Sequence, residues 1–310
     1  MDDRASRELH LALARFSQPR LRPGLPDEAE DAVEIAEVLR LRKLEVAFVE
    51  QERAAVAARA AAAPTDPDAF VAWFEDLRES GPGQGDPLFP WLAERASLEE
   101  MRWFLAQEVA GEAGFDDLVA LTQVRMPQQA KLELARNYWD EMGRGRAPAM
   151  HGPLLAHLAR AVSAEPCNET TVWEALALAN LLVALALDRR YAYHSVGALG
   201  VIELTAPGRV AQVDRGLARL GIAKSERRYF TLHATLDVKH SEAWNREVVR
   251  PLVALEPRAA RAMAEGALMR LSAGARCFER YRSELRGYSQ PSASSRAPSR
   301  ARNLSPMSSR

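Results

Sequence analysis

The chain has 310 residues, of which 47% are apolar and 27% are charged, and its formal net charge is −1. This is the composition of an ordinary globular protein, and the balanced charge gives no overall field that would favour a nucleic acid or an anionic membrane as a partner. The two cysteines, Cys167 and Cys277, stand in no CxxC pair, which excludes a disulfide scaffold and a thiolate-bound zinc or iron–sulfur site.

The N-terminal segment begins with acidic residues and lacks the apolar run of a secretory signal. The most apolar stretch of the chain, Ala175 to Leu187, is shorter than the roughly 20 residues that span a bilayer. We therefore expect a cytoplasmic protein with no membrane partner.

Apolar residues recur at helical spacing along the chain, and no run of alternating β-branched residues indicates a strand, so the sequence predicts an all-α fold. Residues 1–286 are expected to form one helical domain. Residues 287–310 are rich in Ser, Pro and Arg and are predicted to be a disordered tail. The predicted helices, in chain order, cover residues 28–63 (as one or two helices), 70–79, 98–114, 115–124, 128–142, 148–162, 171–205, 228–249 and 257–285.

Capping and breaking residues mark several of these helix ends. Ser97 and Glu100 have the spacing of a capping box, which predicts a helix start near residue 98. Gly143 is expected to stop the helix before it, and Pro207 is expected to close the helix over residues 171–205.

The clearest chemical pattern is a triplet on one predicted helix. His233, Asp237 and His240 are separated by four and three residues, which places all three on one face of an α-helix. Imidazole and carboxylate groups are ligands suited to iron or manganese, so the triplet predicts part of a metal site. The alternative is a polar stripe that faces solvent, or a buried histidine satisfied by the aspartate.

A site for two metal ions needs further carboxylates from other helices. Glu203 interrupts a stretch of small and apolar residues, where an unpaired buried carboxylate would be costly unless a metal neutralised it. Glu141 and His151 flank a segment that contains Gly143 and Pro148, which permits a break that could redirect His151. The alternatives are that Glu203 reaches water from the end of its helix, and that Glu141 and His151 are a helix cap and a surface histidine.

With these pieces in hand, the sequence resembles the haem-oxygenase-like diiron oxidases and oxygenases, a family also described as iron-containing redox enzymes. Its members have a Glu…His pair, then a lone Glu, then a His-x3-Asp-x2-His triplet, on three core helices. The residues that match are, in order, Glu141, His151, Glu203, His233, Asp237 and His240, and the resemblance covers about residues 98–251.

The resemblance implies a haem-oxygenase-like bundle of about seven core helices, with extra N-terminal helices. It further implies that those six residues bind two Fe(2+) ions and that the protein activates O2 to oxidise a small organic substrate. Members that oxygenate nitrogen carry one more carboxylate from a preceding helix, and Glu108 is the best-placed candidate for it. Asn137 and Trp244, each one turn from a matched ligand, are expected to support the ligands.

The reaction within this class stays open: N-oxygenation of an amine, or oxidative desaturation or cleavage of an amino or fatty acid. Arg190 and Tyr193 lie in a polar and aromatic cluster and are candidates for binding the substrate. An external electron donor and a homodimer are both compatible with the class. The alternative function is a non-catalytic iron-binding or interaction protein on the same scaffold.

Overall fold

A computed structural model describes residues 3–25, 35–112, 114–285 and 287–288, with the side chains of residues 235–238 outside this description. The predicted tail therefore lies almost wholly outside the described residues. The described part is all-α and has no strand. Its helices are α1 (Asp3–Leu21), α2 (Ile35–Ala60), α3 (Pro67–Ser80), α4 (Leu88–Glu94), α5 (Leu98–Glu112), α6 (Phe115–Thr122), α7 (Gln128–Glu141), α8 (His151–Ala161), α9 (Trp173–Leu187), α10 (Ala192–Arg219), α11 (Arg228–Trp244), α12 (Arg250–Leu255) and α13 (Ala259–Glu284).

Several helix starts follow from local chemistry. The predicted capping box is confirmed at α5, where the backbone N–H of Ser97 donates to Glu100 Oε2 (2.8 Å) and that of Glu100 donates to Ser97 Oγ (3.3 Å). At α3, the Asp66 carboxylate accepts the backbone N–H of Ala69 at 2.9 Å. These side chains satisfy N–H groups that a helix N-terminus otherwise leaves without a partner.

The prediction of a single helix over residues 171–205, closed by Pro207, is wrong both in the number of helices and in the position of the end. It is two helices, because the Asp188 carboxylate accepts the backbone N–H of Arg190 at 2.9 Å and begins a tight turn, Arg189–Tyr191, in competition with the helical ladder. Pro207 does not end the second helix. Packing of α10 against α4, α11 and α13 holds it together as far as Arg219, despite the missing backbone donor.

Helix α9 lies at the centre of the core. Nearly all of its side chains are buried, and it contacts α1, α5, α6, α10 and α13. The most apolar stretch of the sequence is thus a buried helix. Within the described ranges, no helix combines the length and the apolar character that are needed to cross a membrane.

Glycines bring α10 and α13 into very close contact. A Cβ atom on Gly197 would lie 1.9 Å from the carbonyl oxygen of Met263, and one on Gly266 would lie 1.9 Å from that of His194. Only a residue without a side chain fits at these two positions, so the two helices approach more closely than larger residues allow. This contact fixes α10, which carries Glu203, against α13.

Candidate metal centre

Four helices bring five of the predicted ligands into one buried cluster. Glu141 is the last residue of α7, His151 is the first of α8, Glu203 lies within α10, and His233 and His240 lie on α11. All of them are buried except His233, which is half-buried. Asp237 belongs to α11, but its side chain lies outside the described part of the chain.

The cluster contains two groups of three potential ligands that share one carboxylate. Glu141, His151 and His233 form one group, and Glu141, Glu203 and His240 form the other, with the ligand atoms of each group within 4.8 Å of one another. The rings of His151 and His233 have centroids 4.5 Å apart. Two neighbouring groups with a shared carboxylate are the arrangement that two adjacent metal ions need.

Two buried nitrogen atoms that face carboxylates support the fit to metal ions. His151 Nδ1 lies 2.6 Å from Glu141 Oε2, and His240 Nδ1 lies 3.5 Å from Glu203 Oε2. Neither nitrogen makes a hydrogen bond of good geometry with a described residue. Buried polar atoms of this kind are normally satisfied, and a metal ion would satisfy both of them.

Neighbouring groups orient the ligands. Asn137 Nδ2 donates a hydrogen bond of 2.7 Å to Glu203 Oε1, as the prediction of a supporting role for Asn137 requires. His240 Nε2 lies 3.2 Å from Asp140 Oδ2, which leaves His240 Nδ1 facing Glu203. His233 Nδ1 lies 2.8 Å from the carbonyl oxygen of Tyr229, so Nε2 is the nitrogen that would bind a metal ion.

The break between α7 and α8 directs His151 into the cluster. Gly143 and Arg144 have φ angles of +61° and +54°, and a Cβ on Gly143 would lie 2.5 Å from the carbonyl carbon of Ala149. The chain thus folds back tightly after Glu141 and begins α8 at His151. The glycine-rich segment does what the sequence led us to expect, since a continuous helix would point the two side chains in different directions.

The cluster perturbs the protonation of its members. Burial, reinforced by the negative charge of Glu203, raises the pKa of Glu141 well above its usual value. Burial lowers the pKa of His151, and burial with the nearby His151 lowers the pKa of His233 to about 4. Burial opposes the charge on His240, but the acidic groups of Glu203 and Asp140 outweigh it and raise its pKa to about 9.

These shifts leave two histidines neutral and one positively charged at neutral pH. Neutral imidazole is the form that binds metal, so His151 and His233 are ready to do so without losing a proton. The charge on His240 takes the place that a metal ion would have between the carboxylates. Perturbed groups of this kind gather at functional sites more often than elsewhere.

A cavity of about 1020 Å³, counted with its opening, adjoins the cluster. Glu141, Glu203 and His233 contribute to its wall, and most of the other lining residues are apolar. Its mostly apolar lining, with a few acidic and basic side chains, is typical of a pocket for a small organic molecule. The apolar residues of the wall are Phe89, Phe104, Leu105, Val109, Phe115, Leu155, Leu178, Leu182, Ile202, Ala206, Val210, Val213 and Phe230.

The other predicted site residues have different surroundings. Glu108 lines the cavity beside Arg209 and Arg270. Arg190 is exposed and Tyr193 packs against the core, and neither lines the cavity. Their roles as a ligand and in substrate binding remain predictions.

Two further carboxylates lie near the cluster that the sequence did not single out as ligands. Asp140, the residue before Glu141, contacts His240. Glu112 lines the cavity and influences the pKa of both Glu141 and His151, and its carboxylate accepts the backbone N–H groups of Gly114 (3.0 Å) and Phe115. The signal for Glu112 was its position one helical turn after Glu108.

The fold and the cluster together define an all-α protein with a buried set of histidines and carboxylates suited to metal ions. A sequence profile described as "iron-containing redox enzyme" matches residues 102–275, which is more than half of the chain, and the chain therefore belongs to that family. The family accounts for the haem-oxygenase-like all-α fold and for a general iron-dependent oxidative role. The matched range includes all six predicted ligands. No curated protein matches the chain in sequence.

Proposed function

We propose that the chain binds two ferrous ions in the two ligand groups and uses them with O2 to oxidise a small organic substrate. The observation that carries this proposal is the pair of buried groups that share Glu141. When bound, two ferrous ions supply the two electrons by which dioxygen is reduced. The reaction class is the one that the family's general iron-dependent oxidative role supports.

The atoms and electrons balance with an external donor of the reduced-flavin or iron–sulfur class. Insertion of oxygen consumes the substrate, O2, two electrons and two protons, and gives the hydroxylated product and one water. Desaturation consumes the same inputs, removes two hydrogen atoms from the substrate and gives two waters. N-oxygenation of an amine follows the first balance.

The residues of the chain have separate tasks in this reaction. His151, His233 and His240 would hold the metal ions through nitrogen, with Glu141 and Glu203 as carboxylate ligands. Asn137 and Asp140 hold Glu203 and His240 in their orientations through the hydrogen bonds described above. The apolar wall of the cavity excludes water and holds the reactive part of the substrate beside the centre.

The test counts iron bound to the metal-free chain under anaerobic conditions. We expect about two ferrous ions per chain in the unchanged protein. His233→Ala removes a ligand of one group only and should leave about one ion, whereas Glu141→Ala removes the shared carboxylate and should lose both. His157→Ala is the matched control, because His157 is exposed and pairs with Glu226 away from the cluster.

Admission of O2 with reductant then tests the redox role, with small amines and carboxylic acids screened for faster oxygen uptake. No iron uptake, or equal uptake by the unchanged protein and by Glu141→Ala, contradicts the metal centre. Uptake of two ions without any substrate-dependent oxygen consumption would favour the non-catalytic iron-binding alternative.

A further inference from the structure

A second charged group lies on the cavity wall, apart from the metal centre. It consists of Arg209 on α10, Arg270 on α13 and Glu108 on α5, and we call it the arginine cluster. Arg270 and Arg209 influence the pKa of Glu108, whereas the groups with the largest effect on the pKa of Glu141 are others. On α10, Arg209 is six residues beyond Glu203, which corresponds to about 9 Å along the helix axis.

Arg270 lacks the partners that a buried guanidinium normally has. Its Nε is buried without a hydrogen-bond partner, and the side chain forms no ion pair with any residue in the described ranges. It lies over Gly274, where a Cβ atom would come within 2.7 Å of Arg270 Nη1. The glycine thus leaves room for the guanidinium at the cavity wall.

The contacts of Arg209 are all with neutral groups. Its guanidinium donates to Thr205 Oγ1 at 3.2 Å and, more weakly, to Gln84 Oε1 at 3.4 Å, and its Cζ lies 5.9 Å and 5.6 Å from the ring centroids of Phe89 and Phe278. These contacts hold the side chain in place but do not neutralise it.

The arginine cluster therefore has an excess of positive charge. Two guanidinium groups face one carboxylate, and burial raises the pKa of Glu108 and so weakens its negative charge. Burial lowers the pKa of Arg209 to about 10, which still leaves it charged at neutral pH. The neighbouring Cys277 and Tyr281 stay neutral, because burial raises the pKa of both.

Buried charge without a partner is costly, and an anion entering the cavity would remove that cost. Arginine binds carboxylates through parallel hydrogen bonds, for which Arg270 has its donors available. Glu108 would repel a doubly charged group such as a phosphate more strongly than a singly charged one. The rest of the cavity wall is mostly apolar and includes the aromatic rings of Phe104, Phe115 and Phe230.

We propose that Arg270, with Arg209, binds the carboxylate of a substrate whose apolar portion extends along the cavity to the metal centre. The substrate class is thus an apolar monocarboxylate, oriented with its charged end away from the irons and with a carbon or nitrogen atom remote from the carboxylate at the reactive position. This inference rests on the proposed function for the reaction, but the anion site itself can be tested without it.

The test is binding of 4-phenylbutyrate to the full-length chain by calorimetry, compared with 4-phenylbutan-1-ol and 4-phenylbutylamine, which have the same apolar portion. Metal-free protein is used first, so that the carboxylate cannot bind to iron instead. We expect the carboxylate to bind at least tenfold more tightly than the alcohol or the amine. Equal binding of the three compounds would overturn the proposal.

Variants assign the effect to particular residues. Arg270→Met should weaken the binding of 4-phenylbutyrate at least tenfold and leave the binding of the alcohol unchanged. Glu108→Gln removes a repelling charge and should tighten the binding of 4-phenylbutyrate severalfold. Gly274→Ala keeps every charge but crowds Arg270, so it should also weaken the carboxylate. Arg215→Met is the control, because Arg215 is an exposed residue on α10.

An equal loss of affinity for 4-phenylbutyrate in Arg270→Met and Arg215→Met, or weaker binding of it in Glu108→Gln, would contradict the arginine cluster as the anion site. Circular dichroism and thermal unfolding check that each variant is folded. Iron content separates this proposal from the proposed function, because Arg270→Met should still bind two ferrous ions. If the chain binds no iron but Arg270 still selects the carboxylate, the anion site stands and the diiron proposal fails.

Discussion

Metal binding should release protons from the cluster, and the pKa shifts of the ligands indicate which groups release them. The pKa of His240 is raised to about 9, so His240 is almost fully protonated at pH 7. Burial and Glu203 raise the pKa of Glu141 well above its usual value, so this carboxyl group holds its proton to a higher pH than an exposed glutamate does. His151 and His233 contribute none, because burial lowers the pKa of both. A ligand must lose its proton to bind metal.

We therefore expect at least about one proton, that of His240, to leave per chain when the centre fills at pH 7, and fewer at pH 9, where His240 is half deprotonated. Each proton released makes the apparent affinity about tenfold tighter per unit of pH, or about 1.4 kcal/mol. The assay is anaerobic calorimetry of ferrous iron binding in two buffers that differ in ionisation enthalpy, because the difference in heat gives the proton count.

Asp140→Asn is the informative variant. It removes one of the negative charges that hold the proton on His240, so it should lower the proton count at pH 7 while leaving the Glu141 contribution in place. His157→Ala should leave the count unchanged. Iron binding with no release of protons, or with the same release in Asp140→Asn as in the unchanged chain, would refute the assignment of His240 as a protonated residue that metal displaces.

Three further outcomes follow from the same contacts. Gly197→Ala should destabilise the fold by about 3 kcal/mol in urea unfolding, because its Cβ would meet the Met263 carbonyl. Gly208→Ala in the same helix has nothing within 4 Å of the added Cβ and should stabilise the fold by up to about 1 kcal/mol. Asn137→Ala removes the donor to Glu203 and should weaken metal binding roughly 10- to 100-fold in a competition titration, while the fold persists in circular dichroism. Metal-free protein should lose stability as pH rises from 6.5 to 9. The raised pKa of His240 contributes stability that is fully present below pH 6.5 and disappears as His240 deprotonates. A thermal-unfolding midpoint that does not change over that range would contradict this.

The sequence was informative wherever local chemistry decides the structure. Helical spacing indicated an all-α fold, and the capping box at Ser97 located the start of α5. It failed where distant packing overrides a local preference. Pro207 is a helix breaker by its own chemistry, but three neighbouring helices hold α10 together past it, and this moves Glu203 from the expected helix end into a buried helix interior.

The candidate site divides in the same way. Residues that repeat at helical spacing, such as His233 and His240, could be found from the chain alone. Asp140 could not, since its importance depends on which face of α7 meets α11. Arg209 and Arg270 lie 61 positions apart on different helices, and nothing in the local sequence of either indicates that they share a cavity wall with Glu108.

The two ends of the cavity offer binding groups of opposite preference. At one end, buried carboxylates and neutral imidazoles present the oxygen and nitrogen atoms that bind cations. At the other end, two guanidinium groups exceed one weakened carboxylate, which favours an anion. The rest of the cavity wall is mostly apolar and offers the charged side chains of either end few other partners. A molecule that satisfies both ends must therefore be amphipathic, and the separation of the two charges sets which of its atoms lies beside the metals.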